Sequence, residues 1–134
     1  MSTSPIPSVW ILDDDHDDLT FIRLAFQASQ PSIDALTISN SDELLPLLAS
    51  TKERPRLLLL DINMPRKNGF ETLAELRSLP EYAELPVIMF TTSSNSVDQA
   101  MSMALGANQY LTKPVGYNQL RQLAQNLSQQ WGLT

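Results

Sequence analysis

Four leucines followed by an aspartate, "LLLLD" at Leu57–Asp61, leave this chain few ways to fold. A half-exposed strand would alternate apolar and polar positions, and this run does not. A strand covered on both faces accepts it, as happens in a parallel sheet whose crossover helices pack on either side. The rest of the chain supplies the neighbours. "SVWIL" (Ser8–Leu12) and "PVIMF" (86–90) are further apolar runs, "IDALTI" (33–38) is interrupted by Asp34 and Thr37, and "NQYLTKP" (108–114) is a short last one. Between these runs, apolar residues recur at helical spacing. Leu19, Ile22, Ala25 and Phe26 mark a first helix that begins near Asp15–Asp17 and ends before Pro31. "SDELLPLLAS" marks a second, in which Pro46 predicts a kink or a shortened first turn. Phe70, Leu73, Leu76 and Leu79 give a third, stopped by Pro80. Val97, Ala100, Met101 and Ala104 give a fourth, capped by Ser94 or Ser96 and ended by Gly106. Leu120, Leu123, Ala124, Leu127 and Trp131 form the stripe of a fifth. Strands alternating with helices predict a doubly wound α/β fold, a five-stranded parallel sheet with helices on both faces.

A length of 134 residues suits one domain, read as 8–131 after a polar lead-in at 1–7, with no output domain. No apolar stretch approaches the roughly 20 residues that span a bilayer. "MSTSPIPS" lacks the basic and apolar regions of a signal peptide, so a cytoplasmic location is expected. The absence of cysteine excludes disulfides and thiolate metal sites. A net charge of −6 argues against nucleic acid as a partner. All 15 acids lie at or before Asp98, and the last 36 residues carry only Lys113 and Arg121 as charges.

The polar residues at the strand ends carry the chemistry. Asp13 and Asp14 end the first strand, Asp61 the third, Thr91 the fourth, and Lys113 follows the fifth. Parallel strands all end on one edge of their sheet, and ligands bind outside that edge where strand order reverses. Two or three carboxylates, a hydroxyl and an ammonium therefore meet in one pocket, which suits Mg²⁺ and a phosphoryl group. A carboxylate can itself attack phosphorus. Plainer readings exist for single residues: Asp61 as a polar strand end, His16 as an exposed loop residue, Lys52, Arg54, Arg56, Arg66 and Lys67 as a solvated face.

"LDDD", "LLLLDINMPRKNG", "PVIMFTTSS" and "GANQYLTKPV" closely resemble the receiver domain of two-component response regulators, from about Val9 to about Trp131. "MPRKNGFETLAELRS" and "TTSS" resemble the stand-alone receivers that partner bacterial phytochromes. The resemblance implies a flavodoxin-like sheet of order 2-1-3-4-5 and a regulator that is not a classical enzyme. It implies Asp61 as phosphoacceptor for a sensor histidine kinase. Asp13, Asp14, Asp61 and the Asn63 carbonyl would hold Mg²⁺, Thr91 would be the switch hydroxyl, Lys113 the phosphoryl-binding lysine and Tyr110 the rotating aromatic. Lys113–Pro114 would be a cis peptide. Thr92 stands where most receivers carry Ala or Gly. Asp15, Asp17 and Asp18 are left to cap and charge the first helix.

Two rival readings come from other classes. In a haloacid-dehalogenase-like phosphatase, Asp13 would be the nucleophile and Asp15 the acid. Against it, the position two after Asp15 is Asp17, and no acid beyond Asp98 supplies the later metal ligands. The other rival is a receiver-like interaction module that takes no phosphate. Finally, Gln99, Gln109, Gln119, Gln122, Gln125, Gln129 and Gln130, with Met101, Met103, Tyr117 and Trp131, predict an amide and apolar contact surface. It would serve a homodimer, a kinase or a target, through the fourth helix, fifth strand and fifth helix, with Trp131 near its centre.

Overall fold

The computed structural model describes residues 7–133. Strands β1 (Val9–Leu12), β2 (Ala35–Ile38), β3 (Leu57–Leu60), β4 (Val87–Thr91) and β5 (Gln109–Thr112) form one parallel sheet in the order β2-β1-β3-β4-β5. Helices α1 (His16–Gln27), α2 (Leu44–Ser50), α3 (Gly69–Ser78), α4 (Ser96–Ala104) and α5 (Tyr117–Gln130) alternate with them. The expected fold and strand order are those observed.

Every residue of the three inner strands is buried, whereas the edge strands β2 and β5 are mostly half-covered. Alternate residues of a strand face opposite sides. Leu58 and Leu60 therefore join Trp10, Leu12, Val87 and Met89 under Leu44, Leu73 and Leu76, on the side of α2 and α3. Leu57 and Leu59 join Val9, Ile11, Ile88 and Phe90 under Ile22, Phe26, Ala124 and Leu127, on the side of α1 and α5. Burying a leucine contributes about 1.5–3 kcal/mol. Splitting the run between two cores is thus what makes a two-sided sheet the answer to four leucines.

Pro46 acts as its position predicts. The chain enters α2 through a 3-10 turn, Ser41–Glu43, and becomes α-helical only at Leu44. Pro46 then lies in the first turn of α2, where the missing N–H removes no intrahelical bond. Pro80 opens a second 3-10 turn, Pro80–Tyr82, after α3.

Three expectations need correction. Asn95, rather than Ser94 or Ser96, caps α4, its side chain accepting from the Val97 N–H at 2.7 Å. Second, the stripe Val97, Ala100, Met101 and Ala104 faces outward, and Ser102 is the buried residue of α4. Periodicity shows that one face of a helix is apolar but not what covers it. Ser102 reaches the sheet because its hydroxyl is satisfied within the helix, donating to the Asp98 carbonyl at 2.8 Å. Both ends of α4 are tied down. The Ser93 hydroxyl bonds Asp98 at 2.8 Å, and Arg77 Nε of α3 donates to the Gly106 carbonyl at 3.0 Å.

Third, Trp131 is no surface anchor. It caps the end of α5 and packs half-buried against the core on the α1 and α5 side. Several glutamines are also engaged within the chain. Gln125 exchanges two hydrogen bonds with the Gln30 backbone, and Gln119 accepts from the Gly116 N–H. Among the described residues, no helix is long and apolar enough to cross a membrane.

Candidate acidic site at the carboxyl edge

Strand register builds the site. Leu12 lies beside both Ile38 and Leu60, so the residues that follow leave the sheet side by side. The Asp13 N–H donates to the Ile38 carbonyl and the Asp61 N–H to the Leu12 carbonyl, both at 3.0 Å. Asp13 and Asp61 are thereby held at adjacent strand ends, 1% and 8% exposed, with Asp14 exposed beside them. One carboxylate oxygen from each of the three lies within 4.8 Å of the others.

Lys113 faces this group. Its N–H continues the ladder to the Thr91 carbonyl at 2.7 Å, and its ammonium lies 2.5 Å from Asp13, 2.7 Å from Asp18 and 3.9 Å from Asp61. The Lys113–Pro114 peptide is not cis, contrary to expectation. The lysine stem is long enough to reach the pocket from the strand end without it.

The electrostatics follow from burial. Asp61 is pushed up to about 6, first by burial and then by the Asp13 charge, against Lys113, the Ile62 N–H and the Thr91 hydroxyl. Burial also raises Asp13, although Lys113 and the Asp15 N–H oppose it. For Lys113, burial acts to lower the pKa, but the hydrogen bonds to Asp13 and Asp18 outweigh it and hold the ammonium above the ordinary lysine range. Buried carboxylates destabilised as anions, with hard oxygen donors converging, fit a small divalent cation.

Thr91 is buried, and its hydroxyl accepts from the Ser93 N–H at 3.4 Å. Tyr110 packs half-buried against the core on the α2 and α3 side, and its hydroxyl donates to the Ser93 carbonyl at 2.7 Å. The Thr112 hydroxyl shares that acceptor at 3.3 Å. Asn63 lies exposed two residues past Asp61, and Thr92 is exposed at the rim. The pocket thus gathers Asp13, Asp14, Asp61, Thr91 and Lys113, while Tyr110 stands one link away through Ser93. His16 is exposed at the start of α1.

The cluster of aspartates divides differently from expectation. Asp15 is the helix cap, accepting from the Asp17 and Asp18 N–H groups at 2.9 and 3.1 Å. Asp18, by contrast, turns its carboxylate to Lys113. A signal for this was present: Asp18 stands four residues before the buried Ile22, on the face of α1 that meets the sheet. No comparable sequence signal marks Ser93, which contributes through its backbone carbonyl.

The family model for the response regulator receiver domain matches residues 9–125. The chain belongs to that family. Receivers are regulators phosphorylated by sensor histidine kinases, and they bind Mg²⁺ or Mn²⁺ at an acidic pocket. This receiver is 41% identical over 78 residues to response regulator Rcp1 of Synechocystis sp. (strain PCC 6803), a match covering 58% of this chain and 53% of Rcp1. It is 34% identical over 125 residues to a 14.6 kDa protein of Leptolyngbya boryana, covering 93% of this chain and 92% of that one. Among solved structures it resembles the phosphorylated cyanobacterial phytochrome response regulator RcpA, with a TM-score of 0.83, 31% identity and 93% of each chain covered. It also resembles the Mn²⁺-bound form of Rcp1, with a TM-score of 0.76, 32% identity and 93% and 94% of the two chains covered.

Proposed function

We propose that Asp61 accepts a phosphoryl group from a phosphohistidine of a sensor kinase. The phosphorus–nitrogen bond breaks, its electron pair stays on the imidazole, and a phosphorus–oxygen bond forms on the Asp61 carboxylate. The observation that carries this reading is the placing of Asp61, buried at a strand end beside the paired Asp13 carboxylate and Lys113 ammonium. With a pKa of about 6 it is mostly an anion at neutral pH, yet more basic than a free carboxylate and so a better nucleophile. Lys113 offers an ammonium to the phosphoryl oxygens, and Thr91 a hydroxyl. Asp13, Asp14, Asp61 and the Asn63 carbonyl would hold Mg²⁺, which when bound supplies positive charge against those oxygens. Thr91 and Tyr110 both bond to Ser93, so a shift of the hydroxyl is passed to the aromatic ring and to the surface of α4 and β5.

A small phosphodonor with Mg²⁺ should add one phosphoryl group per chain, labile to hydroxylamine, and Asp61→Asn should abolish it. If Asp13→Asn removes the adduct while Asp61→Asn spares it, the phosphatase reading wins. Against that rival, the Asp15 carboxylate is already engaged as the cap of α1. A phytochrome-type sensor kinase is the proposed donor, supported by the likeness to RcpA.

The outward stripe of α4 is the proposed dimer contact. Val97, Met101 and Met103 are 66%, 46% and 46% exposed. No acid follows Asp98 in a chain of net charge −6, so two copies meet here with little repulsion. Sedimentation should show a dimer at high concentration that Met101→Glu dissociates while circular dichroism stays unchanged. A wild type that remains monomeric would remove the dimer.

A further inference from the structure

We infer that Asp18 is a positioning residue that sets how strongly Lys113 holds the phosphoryl group, acting as a competing anion for the ammonium. The inference rests on Asp61 being the phosphoacceptor. Its ground is the geometry around the lysine. The Lys113 ammonium, its side chain only 10% exposed, lies 2.7 Å from Asp18 and 3.9 Å from Asp61. Asp18 thus has the hydrogen bond that Asp61 lacks.

Asp18 is not needed to bring the lysine into the pocket. The Lys113 backbone is fixed by its bond to the Thr91 carbonyl, and Asp13, almost fully buried, already holds the ammonium from the inner side at 2.5 Å. What Asp18 adds is a second negative charge on the outer side. A phosphoryl group on Asp61 would bring further negative charge to the same ammonium. Asp18 then draws the lysine away from it and repels the new charge, and both effects weaken the phosphoryl hold. The Asp18 carboxylate is about one third exposed, so water moderates the effect without removing it. Its place in α1 lets the competition be tested separately from folding: the helix cap is made by the Asp15 side chain and the Asp18 backbone N–H, which substitution leaves in place.

Beryllium fluoride with Mg²⁺ serves as a non-covalent phosphoryl mimic, and full-length wild type, Asp18→Asn, Asp18→Glu and Asp61→Asn are compared. Asp18→Asn should bind the mimic about three- to tenfold more tightly, in line with loss of one partly exposed competing charge. Asp18→Glu should return affinity towards wild type. The Lys113 ammonium resonance in nitrogen-detected NMR should move in free Asp18→Asn and shift further on adding the mimic than it does in wild type. Affinity unchanged or weakened in Asp18→Asn, with wild type binding normally, overturns the inference and leaves the Asp61 reading standing. A wild type that binds no mimic, or an Asp61→Asn variant that binds as well as wild type, overturns both.

Discussion

Replacing Gly69 by alanine should destabilise the receiver by about 2–4 kcal/mol, the scale of severe overpacking. Helix propensity alone forecasts the opposite sign, because alanine is favoured over glycine within a helix by about 1 kcal/mol. Gly69 opens α3, within the capping box formed by Asn68 and Glu71. Its N–H donates to the Ile62 carbonyl at 2.8 Å, which draws the helix start against the end of β3. A Cβ there would lie 2.2 Å from the Asp61 carbonyl oxygen and 2.8 Å from the Ile62 Cα. Both are backbone atoms of the segment that presents the Asp61 side chain, so neither can swing aside as a side-chain tip can. The loss should appear as a lower urea midpoint with little change in slope. Phosphoryl uptake should fall with it, because relief of the clash displaces Asp61. A Gly69→Ala chain as stable as wild type would show that α3 stands further from the strand end than these distances state.

Removing the Asp61 charge should act in the other direction. The carboxyl has a pKa of 3.8 when unconstrained and about 6 in the folded pocket. Between those values the folded state keeps a proton that the unfolded chain has released, so stability falls as pH rises through the interval. Above it the penalty is complete, about 3 kcal/mol. Without metal at neutral pH, Asp61→Asn should therefore melt several degrees above wild type. The advantage should shrink towards pH 4. Added Mg²⁺ should stabilise wild type by mass action and the variant much less, narrowing the gap from the other side. An Asp61→Asn chain that melts at or below wild type in chelator at pH 7 would contradict the assigned burial cost.

The strands were legible because burial on two faces leaves no freedom in composition: "LLLLD" and "PVIMF" admit no polar residue until the sheet ends. The site was legible for a related reason. Parallel strands bring their ends to one edge, so residues far apart in sequence, such as Asp13 and Lys113, are placed together by topology. Asp18 was misassigned because a carboxylate in the first turn of a helix has a sufficient local explanation, and local explanations hide tertiary partners. The inward turn of Trp131 was missed for a complementary reason, whereas Met101 and Met103, on the outward face of α4, lie exposed as a contact surface requires. An apolar residue states a preference for contact but not whether the contact lies inside the chain.

That outward face has a mechanical consequence. A helix that buries chiefly Ser102 adheres weakly along its length, and its position is set by the fastenings at its two ends. One fastening, Asp98 to Ser93, belongs to the loop that follows Thr91 and receives Tyr110; the other, Gly106 to Arg77, belongs to α3. At nine residues, α4 is a lever about 13 Å long. Easing the first fastening while the second holds turns it about the Gly106 end. A tilt of about ten degrees then sweeps its near end through about 2 Å for that length. Val97 and Met101 ride on the long arm, so a small displacement beside Thr91 is magnified where a partner would feel it.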